Sequence, residues 1–183
     1  ENIRSFDSNI TKETMADMCH DYERRIANAG GIDVALCEIG ATGNIAFNEP
    51  GSSAASYTRL VHLGNETRHL ISKDYKCDQA PKGAVTLGIS NILSARRVLT
   101  MAWGEDRAGI IHRTVEENAT SAVPASLLQG HPHVKLITDL GGAEDLTRIS
   151  HPWKVTSCEW TDKLIRRAIV WLCDMTGKPI LKP

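Results

Sequence analysis

The sequence lacks a dominant charge and a long apolar run. Lys and Arg together number 21 and Asp and Glu 22, which gives a formal net charge of −1 at pH 7. Such a balance gives no electrostatic basis for binding nucleic acid or an anionic membrane surface. Apolar runs such as AIVWLC (168–173) are far shorter than the ~18 residues of a membrane-spanning helix. We therefore expect neither a nucleic-acid partner nor a membrane partner.

Cysteine is scarce, and its placement argues against a disulfide framework and a zinc site. The cysteines are odd in number, include no C-x-x-C pair and stand at positions 19, 37, 77, 158 and 173. Paired cysteines mark the disulfide frameworks of secreted domains, and closely spaced ones mark zinc sites. The polar opening ENIRSFDSNITKE also lacks the apolar segment of a secretory signal peptide. We interpret the cysteines as reduced thiols and predict a cytoplasmic protein.

Length and composition predict one soluble globular domain. The chain has 183 residues, of which 42% are hydrophobic and 23% charged. These are ordinary values for a domain of that type. The chain begins with Glu1 and ends on GKPILKP after a helix-like run, so we expect it to be part of a longer protein. Within the single domain of residues 1–183, we expect a tail over 151–183 whose helix leads toward a further domain.

Hydrophobic patterning predicts strands that alternate with helices. Continuous or alternating apolar runs predict strands over 32–40, 58–63, 84–90, 96–104 and 133–139. Apolar residues at helical spacing predict helices over 11–29, 105–118 and 161–177, with short helical turns over 91–95 and 124–131. Such alternation is typical of an α/β fold with a mainly parallel sheet.

Two segments that follow predicted strands carry chemically useful residues. One is EIGATGNIAFNEPGSS (38–53), and the other is AWGEDRAG (102–109), in which Gly104 permits a turn before Arg107. Ligands of parallel α/β sheets bind beyond the carboxyl ends of the strands. A basic residue in the first turn of a helix favours anions, phosphate above all.

The segment GATGNIAFNEPGSS (40–53) resembles the signature of glucosamine-6-phosphate deaminases, also called isomerases, which contains D-G-H-I-A-F-N-E-P. The resemblance continues through YTRLVHLGNETR, APKGAVTLGISNILSARRVL, GEDRA and PASLLQGHP, and so covers roughly residues 1 to 140. The tail from HPWKVTSCEW onward is similar to a longer bacterial subgroup, in which a deacetylase-like domain follows.

The resemblance implies a truncated three-layer α/β fold with a mainly parallel, modified Rossmann-like sheet, as in sugar-phosphate isomerases. It implies conversion of glucosamine-6-phosphate to fructose-6-phosphate and ammonia, with no cofactor and no metal. The ligand is then a small-molecule sugar phosphate, and a homo-oligomer is expected. The family's phosphate-binding loop and its proton-transferring aspartate have no match here, so we expect this excerpt to be inactive alone.

Carried over position by position, the resemblance assigns the catalytic cluster to Thr42, Asn44 and Glu49. Thr42 stands where the family has aspartate and Asn44 where it has histidine, while Glu49 is retained. Histidine titrates near neutral pH, with an ordinary pKa of about 6.5, whereas asparagine and threonine do not. Gly40 and Gly43 are assigned to the loop backbone that lies against the substrate.

The phosphate-binding positions keep their charge but exchange residue types. Lys73 stands where the family has arginine, and Arg107 where it has lysine. Lysine is a compact point charge and arginine a planar fork, so the attraction for phosphate remains while its geometry differs.

Each site assignment has a plainer alternative. Glu49 is an exposed loop carboxylate in that reading, Thr42 and Asn44 are turn formers, and Lys73 and Arg107 are solvated surface charges. His131 and His133 in GHPHV raise the possibility of a metal site. Their i, i+2 spacing beside a proline, without a third ligand nearby, favours a structural role.

Two other functions stay open at this point. The replacements in the loop suggest a non-catalytic sugar-phosphate-binding or regulatory domain fused to a second enzyme. A weaker alternative is a related sugar-phosphate enzyme, such as a lactonase or a ketose isomerase. Whatever the function, loss of the N-terminal strands would expose a sheet edge, so we expect the excerpt to associate.

Overall fold

The structure, a computed structural model, describes residues 3–6, 11, 13–76 and 79–179. Its strands are β1 (Val34–Glu38), β2 (Arg59–His62), β3 (Gly83–Thr86), β4 (Arg97–Ala102) and β5 (Val134–Thr138). Its helices are α1 (Met15–Asn28), α2 (Asn65–Tyr75), α3 (Ile89–Leu93), α4 (Ala108–Glu116), α5 (Thr147–Ser150) and α6 (Asp162–Thr176). The predicted α/β class is confirmed. None of the helices in these ranges is long and apolar enough to cross a membrane.

A parallel sheet with the order β1-β4-β5 forms the centre of the fold. Strand β4 pairs in parallel with β1 on one side and with β5 on the other, as the runs of continuous apolar residues predict. The carboxyl ends of all three strands therefore lie at the same edge of the sheet. The loops that follow them are brought close together there, although they are distant in sequence.

Strands β2 and β3 form a separate antiparallel pair and do not extend the parallel sheet. The strand predicted over 84–90 is too long, because β3 ends at Thr86 and α3 begins at Ile89. The Asn91 side chain accepts a hydrogen bond from the backbone N–H of Gly88 at 3.0 Å, which starts the helix. One apolar run thus spans a strand end and a buried helix start, which periodicity alone does not separate.

The core lies on one face of the parallel sheet. Its buried members come from the loop after β1, α3 and the residues that follow it, β4, α4 and the short 3₁₀ helix Pro124–Gly130: Ile39, Ile45, Ile89, Ile92, Ala95, Val98, Ala102, Ile111, Ala125 and Leu128. The opposite face is open, since Val34, Leu36 and Ile137 are 51%, 64% and 44% exposed. Strand β1 is also an outer strand, so the association expected of such an edge stays a prediction.

The tail helix predicted over 161–177 is α6, and Thr161 caps it as its sequence position indicates. The Thr161 hydroxyl oxygen accepts a hydrogen bond from the N–H of Leu164 at 3.3 Å. Trp171 of this helix lies 6.0 Å from Trp153, ring centre to ring centre, and Trp153 stacks on Trp160 at 5.9 Å. Aromatic packing therefore attaches α6 to the segment that precedes it.

Helix α1 is attached to the rest of the fold through the Glu23 carboxylate. Glu23 accepts hydrogen bonds from the backbone N–H of Thr58 at 2.8 Å and from the side-chain amide of Asn91 at 2.8 and 3.0 Å. Asn91 is 4% exposed, so its amide depends on a partner inside the protein.

Replacement of Glu23 by alanine is therefore expected to leave a buried amide unsatisfied. The free energy of unfolding should fall by about 1–3 kcal/mol, measured by urea denaturation. The control is Arg24→Ala on the same helix, because Arg24 forms an exposed ion pair with Asp21 and should change stability by less than about 1 kcal/mol. Equal stability losses in the two variants would contradict the role assigned to Glu23.

Candidate functional site

The loop after β1 is held at both ends by buried isoleucines. Ile39 and Ile45 are 1% and 0% exposed and face each other in an antiparallel bridge. Ile45 forms a second antiparallel bridge with Asn48, so the chain reverses direction twice within ten residues of the strand end. The apolar residues of IGATGNIAF thus fix the loop, and its polar residues are displayed between them.

Asn48 is a buried polar anchor of this loop that sequence reasoning missed. The side chain is 0% exposed, and its amide nitrogen donates to the carbonyls of Ile45 and Leu87 at 3.1 and 2.8 Å. Its amide oxygen accepts a hydrogen bond from Arg59 at 2.9 Å. A buried amide with partners on both of its ends stabilises one loop conformation. The available signal was an asparagine directly after three apolar residues in IAFNEP.

Thr42 and Asn44 form a hydrogen-bonded pair. The Thr42 hydroxyl donates to Oδ1 of Asn44 at 2.9 Å, and Nδ2 of Asn44 donates to the Ala46 carbonyl at 3.2 Å. These two bonds determine which way the Asn44 amide points. The amide nitrogen carries a second hydrogen that is able to reach another acceptor. The pair is uncharged and exchanges no proton at neutral pH.

Both glycines assigned to this loop make room for neighbouring side chains. A Cβ atom at Gly40 would lie 2.2 Å from Oδ1 of Asn44, far inside van der Waals contact. Gly43 has φ of +76°, and a Cβ there would lie 2.6 Å from Val123 Cγ1. The Gly43 carbonyl also accepts a hydrogen bond from the N–H of Ala125 at 2.8 Å. The position of Asn44 therefore depends on glycine at both sites.

Arg107 lies on the loop after β4. Gly104 has φ of +90°, a short 3₁₀ helix follows over Glu105–Arg107, and α4 begins at Ala108. The helix predicted over 105–118 is thus α-helical only from Ala108 to Glu116. The Arg107 side chain is 19% exposed and pairs with Asp106 at 2.9 Å.

Gly40, Asn44 and Arg107 line one cavity of about 590 Å³ at the carboxyl ends of β1 and β4. Glu38 and Asp74 line the same cavity, which is otherwise bordered mainly by apolar side chains. Residues distant in sequence thus meet where the ends of adjacent parallel strands place them. The cavity walls carry an amide donor, a guanidinium group and two carboxylates.

Glu49, Thr42 and Lys73 do not line this cavity. Glu49 turns toward α2, where its carboxylate accepts a hydrogen bond from the N–H of Gly64 at 3.4 Å, and lines a separate cleft. Thr42 acts on the cavity only through Asn44. Lys73 is an exposed residue in the last turn of α2. The catalytic role of Glu49 and the phosphate-binding role of Lys73 stay predictions.

His131 is engaged in packing. Its Nδ1 accepts a hydrogen bond from the N–H of His133 at 3.1 Å, so Nε2 carries the proton and donates to the Ala95 carbonyl at 2.8 Å. Neither nitrogen is then available to a metal ion. Among residues 3–6, 11, 13–76 and 79–179, no group of three or more His, Cys, Asp or Glu side chains is arranged to hold a metal.

Replacement of Gly40 by alanine is expected to displace the Asn44 side chain and break its bond with Thr42. Overpacking of this kind should lower the free energy of unfolding by about 1–3 kcal/mol. Side-chain amide resonances of Asn44 should shift as well. The matched control is Gly130→Ala, because no atom lies within 4 Å of a Cβ at that position. Unchanged Asn44 resonances in the Gly40 variant would refute this packing.

The thiol of Cys37, which also lines the cavity, is expected to be unreactive. Burial raises its pKa to about 11, so the thiolate forms only as the pH rises toward that value. At pH 8 roughly one thiol in a thousand is then ionised, and the thiolate is the reacting species. Alkylation by iodoacetamide should therefore be much slower in the folded protein than in urea. Equal rates in the two states would contradict the assignment.

Comparison with known proteins extends these observations. No protein-family model matches the chain. It is 50% identical over 183 residues to a glucosamine-6-phosphate deaminase-like protein of Bacteroides thetaiotaomicron, covering all of this chain and 28% of the relative. It is 37% identical over 139 residues to the glucosamine-6-phosphate deaminase of Shouchella clausii, covering 75% of this chain and 56% of the relative. The chain spans about half the length of most curated relatives it matches.

Solved structures give the same result for the fold. A monomeric glucosamine-6-phosphate deaminase superposes with a TM-score of 0.72 at 33% identity, over 76% of this chain and 58% of the other. The 6-phosphogluconolactonase of Trypanosoma brucei shares the fold, with a TM-score of 0.57 at 22% identity over 76% of this chain and 56% of the other. The family resemblance and the sugar-phosphate isomerase fold predicted from sequence are both confirmed. The chain is thus similar to glucosamine-6-phosphate deaminases over about three quarters of its length, and it shares the fold of the solved one.

Proposed function

We propose that the cavity between Asn44 and Arg107 binds glucosamine-6-phosphate, and that the protein acts in amino-sugar phosphate metabolism. One observation carries the proposal. A hydrogen-bond donor and a cation, placed on loops that follow neighbouring parallel strands, line one cavity. Its volume of about 590 Å³ is suited to a small-molecule ligand.

The charges on the cavity walls match this ligand. Arg107 offers a guanidinium group, whose planar fork suits a phosphate group. Glu38 and Asp74 offer carboxylates to a cation. Glucosamine-6-phosphate carries both a phosphate and an ammonium group, whereas a phosphorylated lactone carries only the anionic one. The two signs of charge therefore favour an amino sugar over the lactone alternative.

The reaction proposed for the complete protein is the release of ammonia from glucosamine-6-phosphate with formation of fructose-6-phosphate. Such a reaction needs proton transfers at the ring oxygen and between neighbouring carbons. Asn44 binds and orients a sugar oxygen but exchanges no proton at neutral pH, and Thr42 holds it in place. Glu49 is the titratable residue among the three predicted catalytic positions. The residues of this chain alone therefore supply binding and orientation, and we expect the excerpt itself to be inactive.

A non-catalytic sugar-phosphate-binding domain is the second candidate. The observation that favours it is the uncharged Thr42–Asn44 pair, which is completed by internal hydrogen bonds. A loop of this kind binds a hydroxyl group without changing its protonation. In that case the protein senses a sugar phosphate for a second enzyme to which it is fused.

The proposal also places the protein in the cytoplasm as a homo-oligomer. Exposed apolar side chains on the open face of the sheet, Val34, Leu36 and Ile137, support association. A neutral, half-buried thiol such as Cys37 is compatible with a reducing compartment.

The decisive experiment measures ammonia release from glucosamine-6-phosphate by the full-length protein and by its Thr42→Asp/Asn44→His variant. A histidine able to exchange protons should raise the rate by about 10²–10⁴-fold. The variant should also show a rise in kcat/KM as the pH increases through about 6.5, the ordinary histidine pKa, which the natural protein lacks. Glu49→Gln should abolish the activity of both proteins if Glu49 is catalytic.

Binding is tested separately by calorimetric titration with glucosamine-6-phosphate and with glucosamine. Arg107→Ala should weaken binding of the phosphorylated sugar only, while the control Arg113→Ala on the exposed side of α4 should change neither. An unchanged affinity in the Arg107 variant would overturn the proposed phosphate site. Binding without ammonia release, even in the variant with aspartate and histidine introduced, would favour the non-catalytic function.

A further inference from the structure

The turn after β5 is joined to the loop that carries Arg107. Oδ1 of Asp139 accepts hydrogen bonds from the backbone N–H of Gly104 at 3.0 Å and of Gly142 at 2.8 Å. Gly104 opens the loop after β4, and Asp139 directly follows β5. One carboxylate oxygen therefore connects two loops just beyond the last paired residues of the β4–β5 ladder.

Gly141 allows the two loops to touch, and Gly142 allows its own turn to close on Asp139. A Cβ at Gly141 would lie 3.1 and 3.2 Å from Cγ and N of Glu105. A Cβ at Gly142 would lie 2.3 Å from Oγ1 of Thr138 and 3.0 Å from Oδ1 of Asp139. The backbone of the turn over 139–142 therefore packs directly against the start of the Arg107 loop. This close approach is independent of the carboxylate contact and points to the same attachment.

The contact is stronger with an ionised carboxylate. Hydrogen bonds from the N–H groups of Gly104 and Gly142 lower the pKa of Asp139, so the group is charged at neutral pH. Hydrogen bonds to a charged acceptor are shorter and stronger than those to a neutral one. An asparagine at this position keeps an acceptor oxygen but loses the charge.

We propose that Asp139 is a positioning residue for Arg107, an inference that rests on the phosphate-binding role of Arg107 proposed above. Asp139 does not line the cavity. It holds the N–H of Gly104, and the carbonyl of Gly104 accepts a hydrogen bond from the N–H of Arg107 at 3.0 Å. The direction in which Arg107 leaves the loop is thereby coupled to the turn after β5.

The test compares Asp139→Ala and Asp139→Asn with the natural full-length protein. Asp139→Ala should weaken binding of glucosamine-6-phosphate roughly tenfold, the lower end of the loss seen when a supporting hydrogen-bond partner is removed at a metal site. Binding of glucosamine should not change. Asp139→Asn should recover part of the loss. The Asp139→Ala/Arg107→Ala double variant should bind no more weakly than Arg107→Ala alone, because Asp139 acts through Arg107.

Hydrogen exchange at the Gly104 amide supplies a readout without ligand, and it should be faster in Asp139→Ala. The control is Glu144→Ala, an exposed carboxylate that makes no hydrogen bond to any residue in the described part of the chain.

Unchanged Gly104 exchange, or additive losses in the double variant, would overturn the proposal. If Arg107→Ala alone does not affect binding, the proposed phosphate site fails, and faster Gly104 exchange still establishes the Asp139 contact. Asp139→Asn gives the same readouts if Asp139→Ala does not fold.

Discussion

The arrangement of the candidate site depends on the buried amide of Asn48. A polar side chain removed from water is stable only when its hydrogen-bonding groups find partners inside the protein. Asn48 finds them in the carbonyls of Ile45 and Leu87 and in the guanidinium group of Arg59. These partners lie on the loop itself, at the end of β3 and on β2, so one side chain attaches the loop to the antiparallel pair.

The same anchor divides the loop into two sides with different chemistry. Before it, Thr42 and Asn44 present an oriented, uncharged amide at the cavity that contains Arg107. After it, Glu49 points toward the start of α2, where its carboxylate accepts a hydrogen bond from the backbone N–H of Gly64. The titratable group of the loop is thereby separated from the cavity lining.

The sequence predicted those parts of the fold that depend on continuous apolar runs. Strands β1, β4 and β5 were found in this way, and the segments that carry Asn44 and Arg107 were recognised as following β1 and β4. Helix α2 was not predicted, because NETRHLISKDY has few apolar residues and its ends carry no strong capping signal. The position of Glu49 was also not predictable, because it follows from two chain reversals that the bridges at Ile45 create. Long-range hydrogen bonds such as these leave no periodic trace in a sequence.

Pairing between β1 and β4 has a consequence for the order of folding. Val34 faces Arg97 at the start of this ladder, so about 60 residues must be closed into a loop before the first contact forms. The antiparallel pair, α2 and α3 all lie within that loop and are able to form from contacts closer in sequence. Topologies dominated by distant pairings fold slowly. Because the cavity has one wall after β1 and the other after β4, it comes into existence only when this pairing is complete.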